Sequence, residues 1–174
     1  TNLDVVDIDG AVDMASTLQV DGAITSSSGA TITVADNSTN LSLVTTDADA
    51  NVGPVLDLYR NSASPADNDR IGSVSFRGRN DNSQDVDYAV FDVFATDVSD
   101  GSEDVEFDIR TIKGGTETSS VTFLGSETVF NQASTDLDFR VESNNSDKMF
   151  VVDAGSDFVS ISGANGLSEV LNGG

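Results

Sequence analysis

Apolar and polar residues alternate along this chain in short runs, and clusters of Asp, Asn, Gly and Ser separate the runs. Val105, Phe107 and Ile109 alternate with Glu106, Asp108 and Arg110. Leu137, Phe139 and Val141 alternate with Asp138, Arg140 and Glu142. A period of two predicts strands with one face turned away from water. Further strands are expected at Val55–Arg60, at Ile71–Arg77, in the run from Val86 to Ala95, and at Val121–Leu124, Met149–Val152 and Phe158–Ile161. In the second of these, Val74 and Phe76 share one face while Arg77 and Arg79 take the other. The parity of the run from Val86 to Ala95 shifts near Val90 and Phe91, which predicts a bulge or burial on both faces. No segment sustains a 3.6-residue period with caps, so the chain reads as all-β, with helix at most in the tail.

The pattern divides the chain into four stretches. Residues 1–46 repeat a unit, Ile8-Asp9-Gly10-Ala11-Val12 and then Val20-Asp21-Gly22-Ala23-Ile24, in which Asp-Gly marks a tight turn between apolar positions. Thinly apolar units of this kind suit a shaft of stacked β repeats. After the polar stretch Thr45–Asn51, residues 52–125 hold five expected strands at spacings that predict an antiparallel meander or sandwich module. Residues 126–162 read as a run of hairpins. Residues 163–174 read as a tail: a short helix, a link or a frayed end.

Composition narrows the chemistry. The 174 residues hold 30 acidic against 8 basic side chains, a formal net charge of −22, with no His, Cys or Trp. A catalytic triad with His, a His or Cys zinc site, a thiol nucleophile and a disulfide are therefore outside this chain's means. So much negative charge disfavours nucleic acid and anionic membranes as partners, and no apolar window is long enough for a membrane-spanning helix. No secretory leader is legible at the start. The first residue, Thr1, fits a processed product or a part of a longer polypeptide. Of the acidic residues 24 are Asp and 6 are Glu. Asp favours turns, because its short carboxylate accepts nearby backbone N–H groups.

Candidate sites follow from these carboxylates. Asp4, Asp7 and Asp9 before Gly10 approach a calcium-loop spacing but lack the Glu that closes one. Asp97, Asp100, Glu103 and Asp104 around Gly101 form a second cluster, and Asp67 with Asp69 a third. Turn capping accounts for all three, so no metal or cofactor site is assigned, Ca²⁺ being the one cation considered. A glycosidase needs two carboxylates across an aromatic-lined cleft. With Tyr59 and Tyr88 the only tyrosines and no Trp, no catalytic residue is assigned and the chain is read as a non-enzyme. Arg60, Arg70, Arg77, Arg79 and Arg110 gather the positive charge in the middle module, where pairing with Asp57, Asp87 or Asp108 across strands is favoured over a receptor patch. Phe76, Phe91, Phe94, Phe107 and Phe123 are expected in the core.

Several stretches resemble tail-fibre-like virion proteins of bacteriophages, marine ones especially. They are Pro54–Asp69, the turn from Val98 to Asp104, and the hairpin segments Phe139-Arg140-Val141-Glu142-Ser143 and Met149-Phe150-Val151-Val152-Asp153. The Val-Asp-Gly-Ala-Ile units are similar to fibre-shaft repeats. The resemblance implies an elongated, homotrimeric β fibre on a virion, used in host attachment. Its partners would be other copies of itself, neighbouring virion proteins and a host-surface glycan or protein receptor. A self-cleaving C-terminal module and a His-rich tip, which such fibres often carry, are absent from this sequence. A capsid decoration protein or head fibre, and an extracellular bacterial adhesin or surface filament, are the alternatives. Oligomerisation is also expected on physical grounds, since short modules with few apolar residues bury little core alone and must shield their strand edges. Loops 61–69, 80–85 and 98–104 are the expected contact points.

Overall fold

The computed structural model describes residues 10–162 and 168–171, all strand, turn or irregular chain, with no helix among them. The chain forms two compact units, Thr1–Val55 and Leu56–Gly174.

In the first unit the described residues, 10–55, are exposed and belong to no β ladder. Local capping shapes the chain instead. The Ser26 hydroxyl donates to the Gly29 carbonyl at 2.6 Å, with Gly29 at φ 89°, where a side chain would be strained. The Asn40 amide donates to the Ile32 carbonyl at 3.1 Å. Leu18, Ile24, Ile32 and Leu41 stay open to solvent. Between residues 10 and 46, the chain shows bends and irregular segments where shaft strands were expected.

The second unit carries two antiparallel sheets. The first is a meander of β1 (Asp69–Arg79), β2 (Asp85–Asp97), β3 (Asp104–Lys113), β4 (Thr116–Leu124) and β5 (Thr128–Phe130), each strand paired with the next. The second comprises β6 (Phe139–Ser143), β7 (Ser146–Asp153), β8 (Phe158–Ser162) and β9 (Ser168–Leu171). The all-β, antiparallel reading is thus the fold observed. Its details differ from expectation in three places. The fifth strand of the meander is β5, so the first sheet runs to Phe130, beyond the boundary at 125. The expected strand Val55–Arg60 is irregular and lacks a ladder, and side chains tie it to β1. Arg60 pairs with Asp69 at 2.8 Å, and Leu58 lies against Gly72, where a Cβ would sit 3.4 Å from it. In the tail, Ser168–Leu171 is a strand.

Register explains the shift in parity within β2. The bulges fall at Ile71, Tyr88, Thr96 and Ser120, not at Val90 and Phe91. Between Ala89 and Ala95 the strand is regular, and one of its faces is buried while the other stays partly open. Val90 and Asp92 are buried on one side, and Phe91 and Val93 line the other.

Pairing sorts the first sheet into two unlike faces. Gly72, Val74, Phe76, Ala89, Phe91, Val93, Val105, Phe107, Ile109, Val121, Phe123 and Phe130 share one face. The charged residues at paired positions of this face are Asp69 and Lys113, at the ends of β1 and β3. Across it runs an aromatic ladder. Phe76 meets Phe91 edge-on at 5.7 Å, Phe91 meets Phe107 at 6.2 Å, and Phe107 stacks on Phe123 at 5.6 Å. The ladder is taken up on the second sheet, where Phe130 touches Phe139 at 4.5 Å and Phe139 meets Phe150 at 6.0 Å. Phe139, Val141, Phe150, Val152, Val159 and Ile161 share that sheet's face.

Phe107 contacts two rungs of the ladder, so its removal breaks the stripe at its middle. Phe107→Ala is expected to cost about 2–3 kcal/mol, below the value for a fully enclosed Phe because the ring is only partly buried. Urea unfolding at one fixed protein concentration measures this. A change under about 0.5 kcal/mol would show that the ladder contributes no stability.

Candidate functional site

The functional geometry lies on the two faces of the first sheet. On the apolar face Leu58, Ile71, Gly72, Ser73, Val74, Phe91, Val93 and Phe107 line a shallow groove of about 380 Å³. Its lining contains no carboxylate and one hydroxyl, so the groove offers apolar contact and no acid–base pair. The face is far from covered: Phe76 is 54% exposed, and Phe91, Phe123 and Val74 are each 39% exposed. A contiguous apolar surface of this kind on an acidic chain is a candidate contact surface.

The opposite face is built from charge. Asp92 on β2 and Asp108 on β3 stand directly opposite each other, and both are buried. Two carboxylates in that position repel, and two arginines resolve the conflict. Arg70 Nε donates to Asp92 Oδ1 at 2.7 Å. Arg110 Nε donates to Asp108 Oδ2 at 3.0 Å and lies 3.8 Å from Asp92 Oδ2. Thr122 and Ser119 on β4 donate their hydroxyls to Asp108 Oδ1 at 2.5 and 2.8 Å. Arg110 Nη1 donates to Glu117 at 2.8 Å. Both guanidinium carbons stand 5.9 Å from the centre of the Phe94 ring, which adds cation–π attraction. Asp92 Oδ2 accepts no hydrogen bond among the described residues.

These surroundings set the titration. Burial pushes the Asp108 carboxyl up, but Thr122, Ser119 and Arg110 outweigh it and hold the pKa below the ordinary 3.8. Glu106 is raised above its ordinary 4.5, first by burial and then by the charge of Asp108. Arg110 is raised chiefly by its bond to Glu117.

The arginines expected to pair do so, mostly with other partners. Arg60 meets Asp69, Arg70 meets Asp92, Arg77 meets Asp87 at 3.1 Å, Arg79 meets Asp85 at 3.3 Å, and Arg110 meets Asp108 and Glu117. Asp57 has no ion pair among the described residues. Of the five phenylalanines expected in the core, four form the half-open ladder and Phe94 lies between two arginines on the charged face. Asp92 was not singled out from sequence. Its place in an otherwise apolar run, Ala89–Ala95, was the available signal.

The carboxylate clusters act as turn caps. Asp97 accepts from the Ser99 N–H at 2.7 Å, Glu103 from the Gly101 N–H at 3.2 Å, and Asp69 from the Ala66 N–H at 3.0 Å. The Ser99 N–H holds Asp97 below its ordinary pKa, and Arg60 does the same for Asp69. Among the described residues no three acidic groups converge as metal ligands would. Asp4, Asp7 and Asp9 lie outside the described residues. Loops 61–68 and 98–103 meet at one end of the sheet, where the Val98 N–H donates to Asp67 at 3.1 Å and the Asn68 N–H donates to the Ala95 carbonyl at 2.7 Å. Loop 80–84 closes the hairpin at the other end. Comparison with family models, curated proteins and solved structures finds no match to this chain.

The charged face makes two predictions. Thr122→Val keeps the shape but removes a donor to a buried carboxylate, and is expected to destabilise by about 1–3 kcal/mol in urea unfolding. The pH dependence follows from the shifted groups. Asp108 has a lowered pKa, so its contribution is present above about pH 4 and is lost as the pH falls through its folded value. Glu106 is raised, so its contribution is present below about pH 4 and is lost as the pH rises through its folded value. Asp108→Asn is therefore expected to flatten the loss of stability towards about pH 3, and Glu106→Gln to raise stability near pH 7. An unchanged acid limb in Asp108→Asn would contradict the assigned network.

Proposed function

We propose that this chain is a structural component of a bacteriophage virion, a homotrimeric β appendage of the tail-fibre kind that serves host attachment without catalysis. The observation that carries the proposal is the apolar sheet face, continuous across two sheets through Phe130 and Phe139 and half open in a single chain. Such a face needs a second surface of the same character, and copies arranged about one axis supply it. The resemblance of Pro54–Asp69 and of the Phe139 and Phe150 hairpins to tail-fibre-like proteins supports the virion setting. The groove lining bears no acid–base pair, which favours a binding role over a hydrolytic one.

The mechanism is multivalent contact. Each copy presents the paired loops 61–68 and 98–103 at one end of its sheet, and linked copies convert weak single contacts into tight attachment. The loops are rich in Asp, Asn and Ser, whose polar groups suit a host-surface glycan or a protein receptor. Neighbouring virion proteins are the other partners of such an appendage.

Native mass measurement is expected to give three times the 18.1 kDa chain mass. Immunogold labelling of phage particles with an antibody to the chain is expected to decorate the tail. Labelling spread over the shell would replace the tail appendage with a decoration protein. A monomer, or particles without label, would overturn the proposal.

A further inference from the structure

We infer that the Phe76–Phe91–Phe107–Phe123 face is the surface by which copies of this chain pack on one another, and that the Arg–Asp face looks outward. The inference rests on the oligomeric reading above and assigns the surface that serves it. Charge is the first argument. Each chain carries a net −22, so two copies approach at least cost where no carboxylate lies between them. From Gly72 to Val105 the paired positions of this face are uncharged, while Asp87, Asp92, Glu106 and Asp108 are held on the other side. Area is the second. Strands about 4.8 Å apart with a rise of about 3.3 Å per residue give β1–β4 a face of roughly 600 Å². β6–β8 add roughly 200 Å², which together approach the ~800 Å² per partner of a stable interface. Continuity is the third, since Phe130 and Phe139 in contact join the two apolar faces into one stripe. Seven of the nine phenylalanines lie on it, a composition suited to sheet-on-sheet packing about 10 Å deep.

The chain has no cysteine, so single thiols report on single positions. Ser75 and Phe76 are neighbours on β1 that project to opposite faces, and both are exposed in one chain. Phe76→Cys and Ser75→Cys are labelled with a maleimide on the full chain, and the mass of each sample is measured by sedimentation. Val74→Cys, on the same face as Phe76, replaces Phe76→Cys should that variant fail to fold. The expected result is labelling at least about tenfold slower at 76 than at 75, in an oligomer, because buried interface groups are closed to reagent except on opening. Equal rates in an oligomer overturn the face assignment and leave the appendage reading standing. Protection at 76 in an 18.1 kDa monomer means that the chain covers its own face, and overturns the inference. Equal rates in a monomer overturn both.

Discussion

The structure depends on how one sheet divides its residues between two faces. Strict alternation in β2 and β3 puts Phe91, Val93, Phe107 and Ile109 on one side and Asp92, Asp108 and Arg110 on the other. Asp92 and Asp108 are buried on the charged side, while Phe76, Phe91 and Phe123 on the other side are exposed. Burial of apolar area at about 25 cal/mol per Å² is the main force available to hold the sheet. That burial is left half complete where Phe76 and Phe91 stay open. In the first unit, residues 10–55 are exposed.

The charged face solves a different problem. Burying Asp92 and Asp108 side by side is costly unless cations and donors surround them. Arg70, Arg110, Ser119 and Thr122 supply these from three strands, so the network fixes the register of β1 to β4 as well as neutralising charge. A one-residue slip would bring the carboxylates onto the phenylalanine face. The bulges at Tyr88 in β2 and Ser120 in β4 absorb the parity changes, and β2 and β3 pair regularly from Ala89 to Ala95. Gly78 permits the first of these, since a Cβ there would lie 3.1 Å from the Tyr88 ring.

Much of this was legible in the sequence because period two is a local signal. Val105, Phe107 and Ile109 were read onto one face, as were Val74 and Phe76, and register places them all on the same one. The hairpins built from Phe139–Ser143 and Ser146–Asp153 followed from clean alternation and an Asn-rich turn. What escaped was set by pairing across strands. Val55–Arg60 has the composition of a strand, but Leu58 and Arg60 bind β1 through side chains and the backbone gains no ladder. Thr128–Phe130 is too short for periodicity to register, and it pairs because β4 offers it an open edge. Asp92 is the lone polar residue of the apolar run Ala89–Ala95, and nothing local to it marks it as buried. Its burial comes from Arg70 and from Asp108 with its own partners, all far away in sequence.

The central claim is that the apolar face becomes enclosed only when copies of the chain meet, so that folding and association are coupled. Equilibrium urea unfolding of the intact chain across a hundredfold range of protein concentration tests this most directly, since mass action links stability to assembly. The account predicts a midpoint that climbs steadily with concentration. A midpoint that stays fixed while the folded protein sediments at the mass of one chain would contradict it.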